Sequence, residues 1–157
     1  MKATKAALKW IAYLLERHRI DFRISGGFAA KTYGSKRPLA DIDIELKTVD
    51  MIRIFPYIRS KIIFGPRIYE DKNWRLFLIT IRFKGQEIDL CGKEVLEIFD
   101  KNRNKWVRIG QRASRREFEK VYGIEVPVIG KKELIDYKSK LMRRVDRQDL
   151  KYLTGNR

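Results

Sequence analysis

Residues 24–46 read Ile-Ser-Gly-Gly-Phe-Ala-Ala-Lys-Thr-Tyr-Gly-Ser-Lys-Arg-Pro-Leu-Ala-Asp-Ile-Asp-Ile-Glu-Leu, a glycine pair separated by a short helical stretch from two aligned carboxylates. In an extended strand, side chains two apart point to one face, so residues 41–46 would project Asp41 and Asp43 together while Ile42, Ile44 and Leu46 pack behind them. Phe22 to Ser25 reads as a strand ending at Gly26-Gly27, and Phe28 to Tyr33 as a helix closed by Gly34. The local order is strand, glycine turn, helix, turn, strand.

Outward from this stretch, Leu8, Ile11, Leu14 and Leu15 recur at helical spacing within residues 3–19, which marks an amphipathic helix that packs on a sheet. Residues 48–59 form a second helix, which Pro56 kinks or ends. Residues 61–70 and 73–83, rich in Ile, Phe, Tyr and Trp, make an antiparallel pair across the polar turn 70–73. After Gly85, Gln86 to Cys91 alternates so that Glu87, Asp89 and Cys91 share a face, and Asp89 comes onto a strand able to lie beside Asp41 and Asp43. A short helix or loop is expected over 93–99 and two short strands over 117–129, split at Gly123. Residues 131–153 read as one or two helices with Leu134, Tyr137, Leu141, Leu150 and Leu153 inward. The expected class is α/β (α+β), a mixed, mostly antiparallel sheet with packed helices, in one domain over 1–157.

Composition narrows the setting. A chain of 157 residues can bury ~70% of its unfolded surface without staples. Its single cysteine, Cys91, excludes a disulfide framework or a cysteine zinc site and fits a reducing, cytoplasmic location. No apolar run approaches the ~18 residues of a membrane span. Charged residues are 36% of the chain against ~25% usually, with few Asn and Gln, a heat-adapted pattern. The formal charge is +16, of which +10 falls in residues 101–157. Basic residues 101, 103, 105, 108, 112, 115 and 116 occur without an acid between 101 and 116, a run that reads either as a solvated surface or as an anion-binding strip. Trp106 within it either stacks on a base or anchors a loop.

Nucleotidyl transfer requires a phosphate cradle, two divalent cations about 3.5–4 Å apart, and a base near the attacking hydroxyl. Glycines at a strand-to-helix turn let backbone N–H groups approach phosphate, and carboxylates are hard oxygen ligands suited to magnesium. An Asp-x-Asp on a strand or a Gly-Gly pair is weak evidence alone; the combination with Asp89 is far more specific. Glu45 shares the carboxylate face and reads as a solvated strand end. His18 reads as a packing or capping residue and Cys91 as a small buried one.

On Gly26-Gly27, Asp41-Ile42-Asp43, and Asp89 within Glu87-Ile88-Asp89-Leu90, the chain resembles the nucleotidyltransferase superfamily with the DNA polymerase beta-type fold. The likeness is to its small single-domain bacterial and archaeal members. Arg37 matches the arginine of their Arg-x-Thr-x-Asp pattern, whereas Leu39 stands where threonine is common. The resemblance implies that Asp41, Asp43 and Asp89 are catalytic and hold two Mg2+ ions, with Asp89 helping to deprotonate the acceptor. It implies that Gly26, Gly27 and Arg37 bind the nucleotide of an NTP, and that Lys138 is a candidate phosphate contact. The reaction it implies moves an NMP from an NTP, ATP among them, to a hydroxyl acceptor. Net positive charge favours a nucleic-acid or other anionic acceptor over a cationic one. The alternatives are a catalytically silent nucleotide- or RNA-binding protein of the same fold, antitoxin-like or regulatory, and a plain basic nucleic-acid binder.

Overall fold

The computed structural model describes residues 2–109 and 116–155. The chain begins with α1 (Lys2–Arg17), whose stripe of Ala7, Leu8, Ile11, Ala12 and Leu15 is buried. Each of its larger apolar side chains is worth about 1.5–3 kcal/mol on burial. Then come β1 (Phe22–Ile24), α2 (Gly26–Thr32), β2 (Asp41–Leu46) and α3 (Thr48–Ile58), which contains Pro56 and passes into a single 3-10 turn at Arg59–Lys61. The remaining elements are β3 (Ile62–Glu70), β4 (Trp74–Phe83), β5 (Gln86–Asp100), β6 (Lys105–Arg108), β7 (Arg116–Val121), β8 (Ile124–Ile129), α4 (Lys131–Leu141) and α5 (Arg144–Leu153).

The strands form a mixed sheet in the order β3-β4-β5-β2-β1-β8-β7, with β6 added to β5. Two neighbouring pairs, β2 with β5 and β1 with β8, are parallel; the others are antiparallel. The turns Lys84-Gly85 and Tyr122-Gly123 have positive φ at both residues, the backbone whose twist matches that of a tight hairpin. One sheet face is packed on α1 and α3. Thr4 of α1 donates to Gln86 at 2.7 Å, and a Cβ at Gly92 would meet Thr48 and Met51 of α3. Ile42, Ile44, Ile88 and Leu90 lie on that face, within the main core.

Three expectations are corrected. Residues 93–99 are not a helix or loop: β5 continues to Asp100, with Leu96 and Ile98 buried and Ile98 paired to both Trp74 and Val107. The β4 register jumps from Leu96 to Gly92, so residues 93–95 have no β4 partner, and this irregularity breaks the alternation that would have revealed the strand. Leu150 is only half-buried, because α5 turns Asp146, Asp149 and Leu153 inward. Glu45 is not a solvated strand end. It stands directly opposite Arg23 in the antiparallel β1–β2 pair, 4% exposed, and accepts from Arg23 Nε at 2.7 Å. Arg23 also grips Glu133 of α4 through both terminal nitrogens, at 2.9 and 2.8 Å, so one buried guanidinium fastens α4 to the central strands.

Of the basic run, residues 110–115 lie outside the described residues. Trp106, on β6, packs edge-on to Phe99 at 5.6 Å with the Arg75 guanidinium over its ring, the loop-anchoring arrangement. His18 packs on Tyr57 at 4.4 Å between ring centroids.

Candidate active site

Parallel pairing sets Asp43 of β2 beside Asp89 of β5, with Asp41 two residues back on the same face as Asp43. One carboxylate oxygen from each of Asp41, Asp43 and Asp89 lies within 4.8 Å of the others. Their side chains open into a cavity of about 580 Å3 on the sheet face opposite α1 and α3, and Gly26, Gly27 and Arg37 also line it.

The glycine turn fits against this cluster with no room to spare. Gly26 has φ +62, and a Cβ built on it would overlap Asp43 Oδ2, so both backbone conformation and space demand glycine there. A Cβ on Gly27 would overlap the Arg37 guanidinium. Ser25 N–H donates to the Asp43 carbonyl at 2.9 Å and ties the turn to β2.

Electrostatics mark the three carboxylates as a strained set. Burial, with the Asp41 and Asp89 charges added, pushes the Asp43 carboxyl up to about 8. Asp89 is raised to about 6, mainly by burial, although Thr80 Oγ1 donates to its Oδ1 at 2.6 Å and favours the charged form. Asp41 is raised, also first by burial. Groups crowded this closely titrate as a set rather than singly. Three crowded carboxylates offering only oxygen ligands are the donor chemistry of a hard divalent cation, so these residues fit the magnesium that the family resemblance implies.

Several participants escape the sequence reading. Thr80, across β4 from Asp89, carries no motif. Lys138 is not a free phosphate ligand: 1% exposed, it is paired with Asp146 at 3.2 Å and Asp149 at 3.0 Å. Asp149 also accepts from Ser35 Oγ at 2.7 Å and from Arg37 through Nε at 3.1 Å and Nη2 at 3.2 Å. Burial alone would raise the Asp149 carboxyl, but Arg37 and Lys138 outweigh it and hold it below the usual range. Arg37 therefore reaches the cavity as a guanidinium already clamped from behind. Arg143, in the turn between α4 and α5, lies over the Trp74 ring and bonds Asp146 through its backbone N–H, Nε and Nη2. The signal that could have pointed to these residues is Asp146-x-x-Asp149, one helix turn apart on an otherwise polar helix. Cys91 is buried beside the carboxylates, and burial pushes its thiol well up.

No protein-family model and no curated protein sequence matches the chain. Solved structures do. The Thermotoga maritima protein TM1012, whose nucleotidyltransferase activity is itself an assignment, aligns with 97% of this chain and 92% of its own at TM-score 0.71 and 15% identity. The lincosamide antibiotic adenylyltransferase LnuA, solved with lincomycin bound, aligns over 94% of each chain at TM-score 0.62 and 14% identity. ANT(2'')-Ia, solved with adenylyl-2''-tobramycin, aligns with 97% of this chain and 88% of its own at TM-score 0.61 and 13% identity. At these identities the likeness is one of fold, and with the strand order and helix placement above it establishes that this chain has the nucleotidyltransferase fold.

Proposed function

We propose that the protein is a magnesium-dependent nucleotidyltransferase that moves an NMP from an NTP to a hydroxyl acceptor. The observation that carries this reading is the convergence of Asp41, Asp43 and Asp89 in one cavity with the Gly26-Gly27 turn.

Asp41 and Asp43 would hold two Mg2+ ions, with Asp89 completing the ligand set of one. Bound there, the ions would polarise the phosphate oxygens and offset charge as it builds on the leaving group. Backbone N–H groups at Gly26 and Gly27 donate to the triphosphate, and glycine allows the approach that a side chain would block. Arg37, held by Asp149, presents a fixed cation to the same phosphates and loses little conformational freedom on binding. Asp89 accepts the proton of the attacking hydroxyl. Its carboxyl, raised to about 6, is ionised at neutral pH yet more basic than an ordinary aspartate, as a general base requires. The acceptor oxygen bonds to the α-phosphorus as the bond to the bridging oxygen breaks, and pyrophosphate leaves.

The test is incubation with α-labelled NTPs, Mg2+ and acceptor pools. Label in a product with the wild-type chain, absent with Asp43→Ala and Asp89→Asn, is the expected result. Tight NTP binding with no transfer to any pool would replace the enzyme with a silent nucleotide-binding protein.

A further inference from the structure

Helix α3 lies on the sheet face opposite the cavity, and its outer surface differs from that of an ordinary surface helix, which turns charge to water. Val49, Ile52 and Phe55 are 58%, 65% and 36% exposed, so three large apolar side chains of one short helix face solvent. The apolar surface continues onto the sheet. Half-buried Phe77 of β4 is paired with exposed Ile68 of β3, and a Cβ at Gly92 would meet both Phe77 and Thr48, which places Phe77 at the foot of the helix.

Thr48, Ile52, Phe55 and Arg59 follow one another at intervals of four, three and four, so they form a single stripe along the helix, from its first residue to its C-cap. The stripe carries opposite charges at its two ends. At the start, Glu94 of β5 caps the helix, its Oε2 accepting from Thr48 N–H at 2.9 Å and Thr48 Oγ1 at 2.7 Å. At the end is Arg59, exposed and without an ion pair among the described residues. The other charges near the helix are accounted for separately. Arg53 pairs with Asp50 at 2.7 Å and reaches the His18 carbonyl on the α1 side, the Lys47 and Lys93 charges act on Glu94 without bonding it, and Lys61 lies over Trp10.

We propose that the protein associates with a second copy of itself through this stripe, α3 against α3 in antiparallel order. A two-fold axis crossing the helix between Arg53 and Ile54 sets Ile52 against the partner's Phe55, and Arg59 against the Glu94 that caps the partner's helix. Each contact then occurs twice, as an isologous interface requires. The order acid, apolar, apolar, base is its own complement when reversed. A uniformly acidic protein or an anionic bilayer would instead be repelled by Glu94 at one end. Pairing on this face leaves both cavities open, so the assignment stands apart from the transfer reading.

Sedimentation equilibrium of the full chain tests it at physiological salt, where the +16 charge of each copy is screened beyond about 8 Å. A dimer is expected. Ile52→Glu, at an exposed position that tolerates the change, puts a carboxylate in the apolar centre and should leave a monomer at every concentration. Arg59→Glu and Glu94→Arg each set like charges together at both ends of the stripe, and each should dimerise about tenfold more weakly or worse. Mixed in equal amounts, the same two variants oppose unlike charges at both ends, and the mixture should recover near wild-type affinity. Glu94→Arg also uncaps α3, so circular dichroism of each variant is read alongside; Ile52→Glu and Arg59→Glu keep the cap. A monomeric wild-type chain, dimerisation untouched by Ile52→Glu, or a mixture of folded variants no tighter than its components overturns the assignment.

Discussion

Replacing Asp43 by asparagine should abolish transfer and, without metal, make the protein more stable. The reasoning is one of proton linkage. In the unfolded chain the Asp43 carboxyl ionises near its ordinary value of 3.8; in the folded chain burial and the neighbouring Asp41 and Asp89 charges hold the proton until about 8. Between those values the folded state binds more protons than the unfolded, so wild-type stability falls as pH rises from about 4 to about 8. Each unit of difference corresponds to about 1.4 kcal/mol. At pH 7 the opposing free energy is therefore on the order of a few kcal/mol before relaxation, and asparagine, of similar shape and uncharged, removes it. Allowing for an amide that fits less well, we expect a gain of about 1–2 kcal/mol at pH 8, or roughly 2–8 °C in Tm for a chain of this size, and little difference at pH 4. Urea and thermal unfolding in EDTA at pH 4, 6 and 8 measure it. Adding Mg2+ should raise the wild-type Tm at pH 8 and leave Asp43→Asn nearly unmoved. An asparagine variant less stable than wild type by the same amount at every pH would refute the account, since burial and the neighbouring carboxylates would then not be opposing the Asp43 charge.

The same charges govern cation affinity: Mg2+ must displace protons from Asp43 and Asp89, so its apparent affinity by calorimetry should rise from pH 6 to pH 8, and a pH-independent affinity would place the cation elsewhere. Thr80→Val removes the bond that favours ionised Asp89, so the acid limb of the transfer profile should move to higher pH with the alkaline limb unchanged; a lower kcat with both limbs in place would make Thr80 merely structural. Gly26→Ala should cost about 1–2 kcal/mol through its left-handed backbone alone, and the overlap with Asp43 should weaken Mg2+ binding at least tenfold; intact binding would disprove the close fit. Asp149→Ala leaves Lys138 buried with only Asp146 and should cost about 3–5 kcal/mol in urea unfolding; a cost below 1 kcal/mol would show that water replaces the carboxylate.

What could be read from the linear chain was local. The Ile24–Leu46 stretch announces itself because strand alternation aligns Asp41 with Asp43 within three residues and the glycines mark a turn just upstream. The helices at 2–17 and 131–153, the hairpins at Lys84-Gly85 and Tyr122-Gly123, and Asp89 on an alternating strand were legible for the same reason. Strand β5 was cut short because its register shift interrupts the alternation at residues 93–95. Glu45 was misjudged because its partner, Arg23, lies 22 positions away and only cross-strand pairing brings them together. Thr80 and Arg143 were invisible as site residues, since nothing in a single threonine or arginine records what it will touch.

The sequence by itself determined the chemistry on offer: three carboxylates on alternating segments, a glycine turn before the first pair, and the helices and strands that hold them. Periodicity and residue type are properties of neighbours along the chain, so short-range physics suffices to expose them. Only the tertiary structure decided that Asp43 stands beside Asp89, that their oxygens converge, and that Asp149 clamps Arg37. Those outcomes depend on which strands become neighbours, and strand order is settled by burial of the whole sheet rather than by any one segment of it.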